Sequence, residues 1–195
     1  MIYFQKMPYQ IDVKDLNQQL GEHPELWGQY DWRKALGPHT QMTDIWVRYN
    51  DINKYGGNPG PEFNDEHVPV WYPAWEALPA LRPIIFNLMA QEQGEMLGAV
   101  LITKIPAGQG IGKHVDRGWH VEYYDKFYVS LESAPGATFH CGEEVINPEV
   151  GDCWRFDNRR EHWVENNSSS DRVTLIVCIR TEKYKRERHV FDLIG

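Results

Sequence analysis

The sequence predicts a mainly β fold with flanking helices, in a single domain of 195 residues. Two observations support this fold class. From residue 97 onward, short runs rich in β-branched and aromatic residues recur at regular spacing. The segments between these runs, such as SAPGA and NNSSSD, hold the residues typical of turns. Several short strands at such spacing indicate a β-sandwich, a jelly roll or a barrel.

Residues 1–96 form an N-terminal elaboration of mixed structure. The stretch IDVKDLNQQL has apolar residues close to helical spacing, and MTDIWVRYN has the composition of a strand. Segment 53–70 is dense in Gly, Pro and Asn, so we expect a long loop that acts as a lid. The stretch AWEALPALRPIIFNLMAQEQ predicts one or two helices, interrupted by Pro79 and Pro83.

Residues 97–182 form the predicted β core. Its strands are expected at LGAVLITKI, KFYVSLES, ATFHC, DCWRF and RVTLIVCIR. Residues 183–195 form a tail, and its basic segment KYKRERH, residues 183–189, favours a solvated position.

Composition excludes several classes of function. A net charge of −8 makes a nucleic-acid partner unfavourable, and no apolar run approaches the roughly 18 residues that a membrane helix needs. The three cysteines form no CxxC motif and are odd in number, so neither a disulfide framework nor a thiolate zinc site is expected. These features and an N-terminus without a signal-peptide pattern favour a cytoplasmic location. They leave an oligomer possible.

The segment KHVDRG contains His114 and Asp116, two positions apart. In a strand such residues point to one face, so both side chains could bind one metal ion. In a chain with eight histidines, the same pair could also be two polar residues on an ordinary turn. A third ligand has to distinguish these alternatives.

His162 supplies that ligand, because FDNRREHWVEN places it after a strand and a turn, at the start of another strand. Two histidines and one carboxylate form the facial triad of non-haem Fe(II) oxygenases, which leaves coordination positions open. A structural zinc site would require four protein ligands, and the sequence offers no fourth.

Arg172 begins the apolar strand DRVTLIVCIR, and Thr174 follows on the same side. A buried guanidinium requires an anionic partner, and a dicarboxylate co-substrate would provide one through a two-pronged hydrogen bond. The alternative is a surface arginine in a salt bridge.

Residues 105–180 resemble the aspartyl/asparaginyl β-hydroxylase family of Fe(II)- and 2-oxoglutarate-dependent oxygenases. The matching stretches are IPAGQGIGKHVDRG, FYVSLES, HCGEEVINPEVGDCWRFDNRREHWVEN and DRVTLIVCIR. The most specific of them runs from Gly151 to His162. The resemblance implies a double-stranded β-helix, which is a jelly-roll, cupin-like core.

The resemblance also implies a set of roles. His114 and His162 fall on the metal histidines, and Asp116 keeps the carboxylate ligand that the animal membrane-bound members have replaced by glycine. Free-proline hydroxylases, which also resemble the family, keep it as well. Arg172 falls on the arginine that binds the C5 carboxylate of 2-oxoglutarate, with Thr174, Tyr128 and Lys126 expected beside it. The implied activity consumes O2 and 2-oxoglutarate and releases succinate and CO2 as the substrate is hydroxylated.

The expected substrate is an amino acid, a peptidyl side chain or a similarly small polar molecule. An anionic group would suit the arginines near the metal residues. Candidate contacts either neighbour the metal residues or share one face of the N-terminal strand: Arg117, Trp119, His120, Arg160, Trp46 and Arg48.

Two alternatives differ in chemistry. One is a non-catalytic metal-binding domain of cupin type, and the other is an enzyme that uses the metal without 2-oxoglutarate. Arg172 discriminates against the second alternative, because an enzyme of that kind does not need an arginine ten residues beyond the last metal ligand.

Overall fold

The computed structural model describes residues 1, 3–35, 37–56, 59, 60, 63 and 68–182. The expected lid loop, residues 53–70, falls only partly within these ranges. The tail 183–195, with its basic segment, lies outside the described residues.

The described strands, in chain order, are β1 (Phe4–Gln10), β2 (Thr43–Asn50), β3 (Pro69–Trp71), β4 (Met96–Ile105), β5 (Gly110–His114), β6 (Asp125–Glu132), β7 (Ala137–Cys141), β8 (Glu144–Ile146), β9 (Asp152–Phe156), β10 (His162–Asn166) and β11 (Arg172–Arg180). The α-helices are α1 (Lys14–Glu22), α2 (Trp32–Ala35), α3 (Ala74–Ala77), α4 (Leu81–Gln91) and α5 (Trp119–Tyr123). Short 3-10 turns occur at Pro24–Leu26, Gly37–His39 and Ile52–Tyr55. In the part of the chain that the structure describes, no helix is long and apolar enough to cross a bilayer.

Two antiparallel sheets build the core. The larger has the order β1-β9-β6-β11-β4-β2-β3, and the smaller has the order β5-β10-β7-β8. From β4 to β11 the chain passes back and forth between them, with β4, β6, β9 and β11 in the larger sheet and β5, β7, β8 and β10 in the smaller. This winding is the double-stranded β-helix, so the predicted fold class is confirmed.

The larger sheet is covered on both faces, which explains why β11 is apolar from Leu175 to Ile179. On one face, Leu16 of α1 and Ile85 of α4 belong to the same buried cluster as Val129 and Leu175 of the sheet. On the other face, an aromatic-rich cluster joins the two sheets, with Phe4, Phe139, Trp154, Phe156 and Val164. Each large apolar side chain buried in this way contributes about 1.5–3 kcal/mol.

Most of the predicted elements are present at the expected positions. The five core strands and β2 lie within one residue of their predicted ranges, and α1 and α4 account for the two helical patterns. Pro83 is the third residue of α4. A proline is tolerated there because the first N–H groups of a helix have no intrahelical acceptor.

Strand β1 was not predicted, and its sequence explains why. Pro8 interrupts FQKMPYQ, and the pairing with β9 shifts register between Lys6 and Gln10, around this proline. As an edge strand of the larger sheet, β1 tolerates the missing N–H.

Candidate metal centre and adjoining pockets

The three predicted metal ligands come together at the open end of the two sheets. His114 is the last residue of β5, and His162 is the first residue of β10. The two strands pair so that His162 lies opposite His114. Asp116 lies beyond the end of β5, so the prediction of His114 and Asp116 on one strand is wrong. The turn is instead held by a hydrogen bond from the backbone N–H of Asp116 to the carbonyl of Asn158, at 3.2 Å.

The geometry of the triad suits one metal ion. One potential ligand atom from each of His114, Asp116 and His162 lies within 4.8 Å of the others. His114 Nε2 is 3.8 Å from Asp116 Oδ1, and the centres of the two imidazole rings are 4.2 Å apart. Two imidazole nitrogens and a carboxylate oxygen form a donor set that iron(II) favours.

Hydrogen bonds to the backbone fix which nitrogen of each histidine is available. His114 Nδ1 lies 2.8 Å from the carbonyl oxygen of Gly112, and His162 Nδ1 lies 2.8 Å from that of Arg160. Because a carbonyl oxygen only accepts, both Nδ1 atoms donate. In the neutral ring, this leaves the lone pair on Nε2 for a metal. Burial, partly offset by Asp116, lowers the pKa of His162 to about 4, so this ring is neutral at pH 7.

Asp116 is oriented through its second oxygen. Oδ2 accepts hydrogen bonds from the ammonium of Lys126 and from Asn158 Nδ2, the latter at 3.2 Å. Burial by itself would raise the pKa of Asp116, but Lys126 and then His162 outweigh it and hold that pKa below its usual range. The carboxylate is therefore ionised, and Oδ1 remains directed towards His114.

Lys126 lies next to the three proposed metal ligands and not next to Arg172, where it was expected. Burial lowers its pKa, but the attraction of Asp116 is stronger and leaves the pKa of Lys126 above its usual range. Its side chain lines the outer cavity at the metal centre and is not among the residues that line the inner pocket around Arg172. Its direct contact is with Asp116.

An inner pocket lies between the sheets, beside the two metal histidines. It is lined by Arg172, Thr174, Tyr128, Arg33, His39, Thr103, Ile111, His114, Phe139, His162, Val164 and Ile176. Arg172 is only 5% exposed, and its guanidinium lies 5.8 Å from the centre of the Phe139 ring. Burial lowers the pKa of Arg172 to about 10, so the group stays cationic at neutral pH. In the described ranges, no carboxylate forms an ion pair with Arg172.

Two hydroxyl groups extend this pocket. Thr174 Oγ1 is buried without a hydrogen-bond partner, although the facing Thr103 donates its hydroxyl hydrogen to Asp44 at 2.7 Å. Burial raises the pKa of Tyr128 to about 12, so its phenol is a neutral hydrogen-bond donor. The pocket thus combines an unpaired cation with an unsatisfied hydroxyl, an arrangement that suits a carboxylate.

An outer cavity of about 350 Å³ opens from the metal centre. Five residues line both this cavity and the inner pocket: Arg33, His39, His114, Tyr128 and His162. Of the predicted substrate contacts, Arg117 and His120 line the outer cavity. Trp119 is 41% exposed and packs on Tyr123.

The other predicted contacts lie elsewhere. Arg160 is exposed and lies over the Tyr3 ring. A bulge in β2 shifts its register between Trp46 and Arg48, which interrupts the alternation expected to place them on one face. Trp46 is buried against Tyr30, and the Arg48 guanidinium lies over Trp71. None of these three residues is among those lining the two cavities at the metal centre.

Sequence reasoning missed the contribution of the N-terminal segment. Arg33 of α2 forms an ion pair with Asp44 at 2.7 Å and lines both cavities. His39 also lines both, and its ring centre lies 5.0 Å from that of His114. Burial lowers the pKa of His39 to about 2, so its ring is neutral. Asp44, a carboxylate within an apolar strand, was a signal for a buried cation, whereas no spacing pointed to His39.

Comparisons with known proteins agree with this geometry. The family model described as aspartyl/asparaginyl beta-hydroxylase matches residues 69–181, more than half of the chain. No curated protein sequence matches significantly.

Three solved structures show the fold at low sequence identity. A 2OG-Fe(II) oxygenase family oxidoreductase from Burkholderia pseudomallei is 16% identical, with a TM-score of 0.55, over 92% of this chain and 84% of that one. A Trichoplax adhaerens prolyl hydroxylase, in complex with a hypoxia inducible factor peptide fragment, is 12% identical, with a TM-score of 0.59, over 94% and 86%. The viral collagen prolyl hydroxylase of Paramecium Bursaria Chlorella virus-1 is 11% identical, with a TM-score of 0.54, over 92% and 96%.

Proposed function

The chain belongs to the aspartyl/asparaginyl beta-hydroxylase family, and from this premise we propose that it is an Fe(II)- and 2-oxoglutarate-dependent dioxygenase that hydroxylates a small polar substrate. His114, Asp116 and His162 are the proposed metal ligands. Arg172, with Thr174 and Tyr128, is the proposed site for the far carboxylate of 2-oxoglutarate.

The observation that carries this proposal is the unpaired Arg172 in the pocket beside the metal histidines. A guanidinium that is 5% exposed and has no carboxylate partner among the described residues is costly to bury. The buried, unsatisfied hydroxyl of Thr174 adds to that cost. A dicarboxylate co-substrate would remove both penalties, and its other end would lie near the proposed metal ligands, because His114 and His162 line the same pocket. A metal-binding domain without 2-oxoglutarate would leave this arrangement unexplained.

The residues present also fit iron(II). Three ligands of the facial type leave coordination positions for co-substrate and O2, whereas a structural zinc site closes with four. Each ligand is oriented by a hydrogen bond outside the metal site: His114 and His162 donate from Nδ1 to the carbonyls of Gly112 and Arg160. Asp116 Oδ2 accepts from Lys126 and Asn158. Such outer contacts are a regular feature of functional metal sites.

When bound, iron(II) and 2-oxoglutarate supply the chemistry that uses O2 to convert a substrate C–H into C–OH, with succinate and CO2 as the other products. The chain's own residues supply position and environment. Arg172 and Thr174 would hold one end of the co-substrate. Lys126 keeps Asp116 ionised, and the hydrogen bonds from Lys126 and Asn158 keep it turned towards the centre. The apolar walls Phe139, Val164 and Ile176 exclude water from the inner pocket.

The proposed substrate is an amino acid, a peptidyl side chain or a similar polar molecule that enters the outer cavity. Arg117 and His120 line that cavity and are the proposed contacts for an anionic group. Trp119, Arg160, Trp46 and Arg48 do not line it, so we do not propose them as contacts. The structural likeness to the prolyl hydroxylase complex supports room for a peptide in this fold, since that protein holds a peptide fragment.

Anaerobic titration of the purified protein with Fe(II) and 2-oxoglutarate tests the proposal through the visible metal-to-ligand charge-transfer band. We expect a band in the wild type and none in His162→Ala. In Arg172→Ala the concentration of 2-oxoglutarate needed for half of the band should rise at least tenfold, because a charge-assisted pair is lost. Under air, succinate formation should be highest in the wild type, lower in Arg172→Ala and absent in His162→Ala.

Arg180→Ala is the matched control, because Arg180 ends the same strand but pairs with Glu95 and Glu182 at the surface. Its titration should equal that of the wild type. A wild-type protein without a band, or an Arg172→Ala variant with unchanged 2-oxoglutarate dependence, would contradict the proposal.

A further inference from the structure

The two metal histidines are held very differently by the fold. His162 begins β10, which is paired on both sides, by β5 and by β7. His114 ends β5, which among the described strands is an edge of the smaller sheet and pairs only with β10 there. The hydrogen bond from His114 Nδ1 goes to Gly112 of the same strand, so it moves with the strand. An edge strand of five residues with two glycines is a weak support for a metal ligand.

The free edge of β5 is covered by residues 37–41, which we name the strap. It touches alternate residues along the strand. Gln41 Oε1 accepts a hydrogen bond from the backbone N–H of Gly110 at 3.2 Å. Pro38 packs beside Gly112, where an added Cβ would lie 3.4 Å from the Pro38 Cβ. His39 meets His114 edge-on, with ring centres 5.0 Å apart and an interplanar angle of 73°.

The strap is fixed to the larger sheet at both of its ends. Before it, Arg33 forms the ion pair with Asp44 of β2, whose other carboxylate oxygen accepts from Thr103 of β4. After it, Met42 is 1% exposed and joins the cluster between the sheets, and its N–H donates to the carbonyl of His39. The strap therefore connects the rigid larger sheet to the metal ligand on the edge of the smaller one.

We propose that His39 is a positioning residue that holds the ring of His114 from outside β5, so that Nε2 stays directed towards Asp116 and His162. An edge-to-face contact opposes rotation of the His114 ring about its Cβ–Cγ bond. The contact is one of shape and ring geometry, so a phenyl ring at position 39 serves the same purpose. This inference rests on the proposed metal centre, and it assigns a role to a residue outside the stretch that the family model matches.

Co(II) binding to the metal-free protein tests this role without turnover or 2-oxoglutarate. Cobalt reports both affinity and ligand geometry through its visible ligand-field bands. We expect His39→Ala to bind Co(II) about tenfold more weakly, with shifted or broadened bands, as when other outer contacts of metal ligands are lost. His39→Phe should restore the wild-type affinity and band shape. His39→Leu, which fills space without a ring, should remain intermediate.

His23→Ala is the matched control, because His23 lies at the surface with Glu25 and away from the site. Thermal unfolding of the metal-free variants shows whether each is folded. If His39→Ala is not folded, the difference in Co(II) affinity between His39→Leu and His39→Phe tests the role of the ring. Equal Co(II) affinity and spectra in wild type, Ala and Leu would overturn the role of His39. If the wild type binds no Co(II), or if wild type and His162→Ala bind Co(II) with equal affinity, the proposed metal centre itself is wrong.

Discussion

At the scale of single residues, two threonines face each other across β4 and β11 with opposite hydrogen-bonding states. Thr103 donates to Asp44, whereas Thr174 Oγ1 is buried without a partner. A buried unsatisfied hydroxyl destabilises the folded protein unless a ligand satisfies it. The metal-free protein alone thus gives no structural reason for a hydroxyl at position 174, whereas 2-oxoglutarate binding does.

Replacement of Thr174 by valine should therefore have two effects of opposite sign. We expect the free energy of unfolding to rise by about 1 kcal/mol, because the unsatisfied hydroxyl is replaced by a methyl group of similar shape. The apparent affinity for 2-oxoglutarate should fall about fivefold. Urea unfolding and the anaerobic charge-transfer titration measure the two quantities.

Thr103→Val is the control on the facing strand. It leaves the buried Asp44 carboxylate with one donor fewer, so it should destabilise the protein by about 1–3 kcal/mol. If Thr174→Val destabilises as much as Thr103→Val, the hydroxyl at position 174 has a partner in the folded protein and its assigned role is wrong.

The buried His162, a proposed metal ligand, makes the protein sensitive to acid when no metal is bound. Its pKa of about 4 lies below the ordinary value of 6.5, so between these values the unfolded chain binds more protons than the folded one. Stability is therefore full above pH 6.5 and decreases as the pH falls towards 4. Urea unfolding in the presence of a chelator should show this decrease, and His162→Gln should reduce the slope. An unchanged slope in that variant would assign the acid sensitivity to other groups.

At the scale of elements, the two glycines of β5 make a matched pair. A Cβ on Gly110 would lie 2.5 Å from the carbonyl oxygen of Val164, whereas one on Gly112 would lie 3.4 Å from the Pro38 Cβ. We expect Gly110→Ala to separate β5 from β10, to lower the free energy of unfolding by about 2 kcal/mol and to weaken metal binding. Gly112→Ala should change the free energy of unfolding and the metal affinity only slightly. Thermal unfolding and Co(II) titration compare them, and equal behaviour of the two variants would contradict this account.

The same strand shows why some elements escape sequence reasoning. The core strands β4, β6, β9 and β11 are long or apolar enough to give a periodic signal, and β7 is flanked by clear turns. Strand β5, GIGKH, shows no alternation of apolar and polar side chains, because two of its five residues are glycines. These glycines allow the close approach of β10 and of the strap. Strand β1 contains Pro8 and has a shifted register. In both cases tertiary contact, and not local propensity, makes the strand.

At the scale of the whole molecule, the site residues also fall into two groups: those that the sequence identifies and those that only the tertiary structure reveals. His114, Asp116, His162 and Arg172 were selected from the sequence, since their residue types and spacing follow the chemistry and the family motifs. Asp44 signalled a buried cation without identifying Arg33, and nothing pointed to His39, because the roles of both residues depend on how the N-terminal segment folds back onto the edge of the smaller sheet. The bulge in β2 defeated the alternation argument for Trp46 and Arg48 for a related reason: one extra residue changes where every following side chain points.

The three cysteines report on the integrity of the whole fold. Cys141, Cys153 and Cys178 are buried and free, and burial raises the pKa of each thiol, to about 12, 12 and 11 respectively. At pH 8 the reactive thiolate is therefore scarce in the folded protein. We expect reaction with a chromogenic disulfide reagent to be slow in buffer and complete, for three thiols, in denaturant. Rapid modification of a thiol in buffer would show that its strand opens locally.

The shared wall between the two cavities has a kinetic consequence. Arg33, His39, His114, Tyr128 and His162 line both spaces, so the two spaces adjoin, and we expect a molecule seated in the outer cavity to hinder entry to the inner pocket. Under the proposed function, we then expect 2-oxoglutarate to bind first and the molecule to be hydroxylated to bind second. Initial-rate measurements should show inhibition by excess of the second reactant that additional 2-oxoglutarate relieves. The reactant that binds last, in the outer cavity, should therefore also be the first to dissociate.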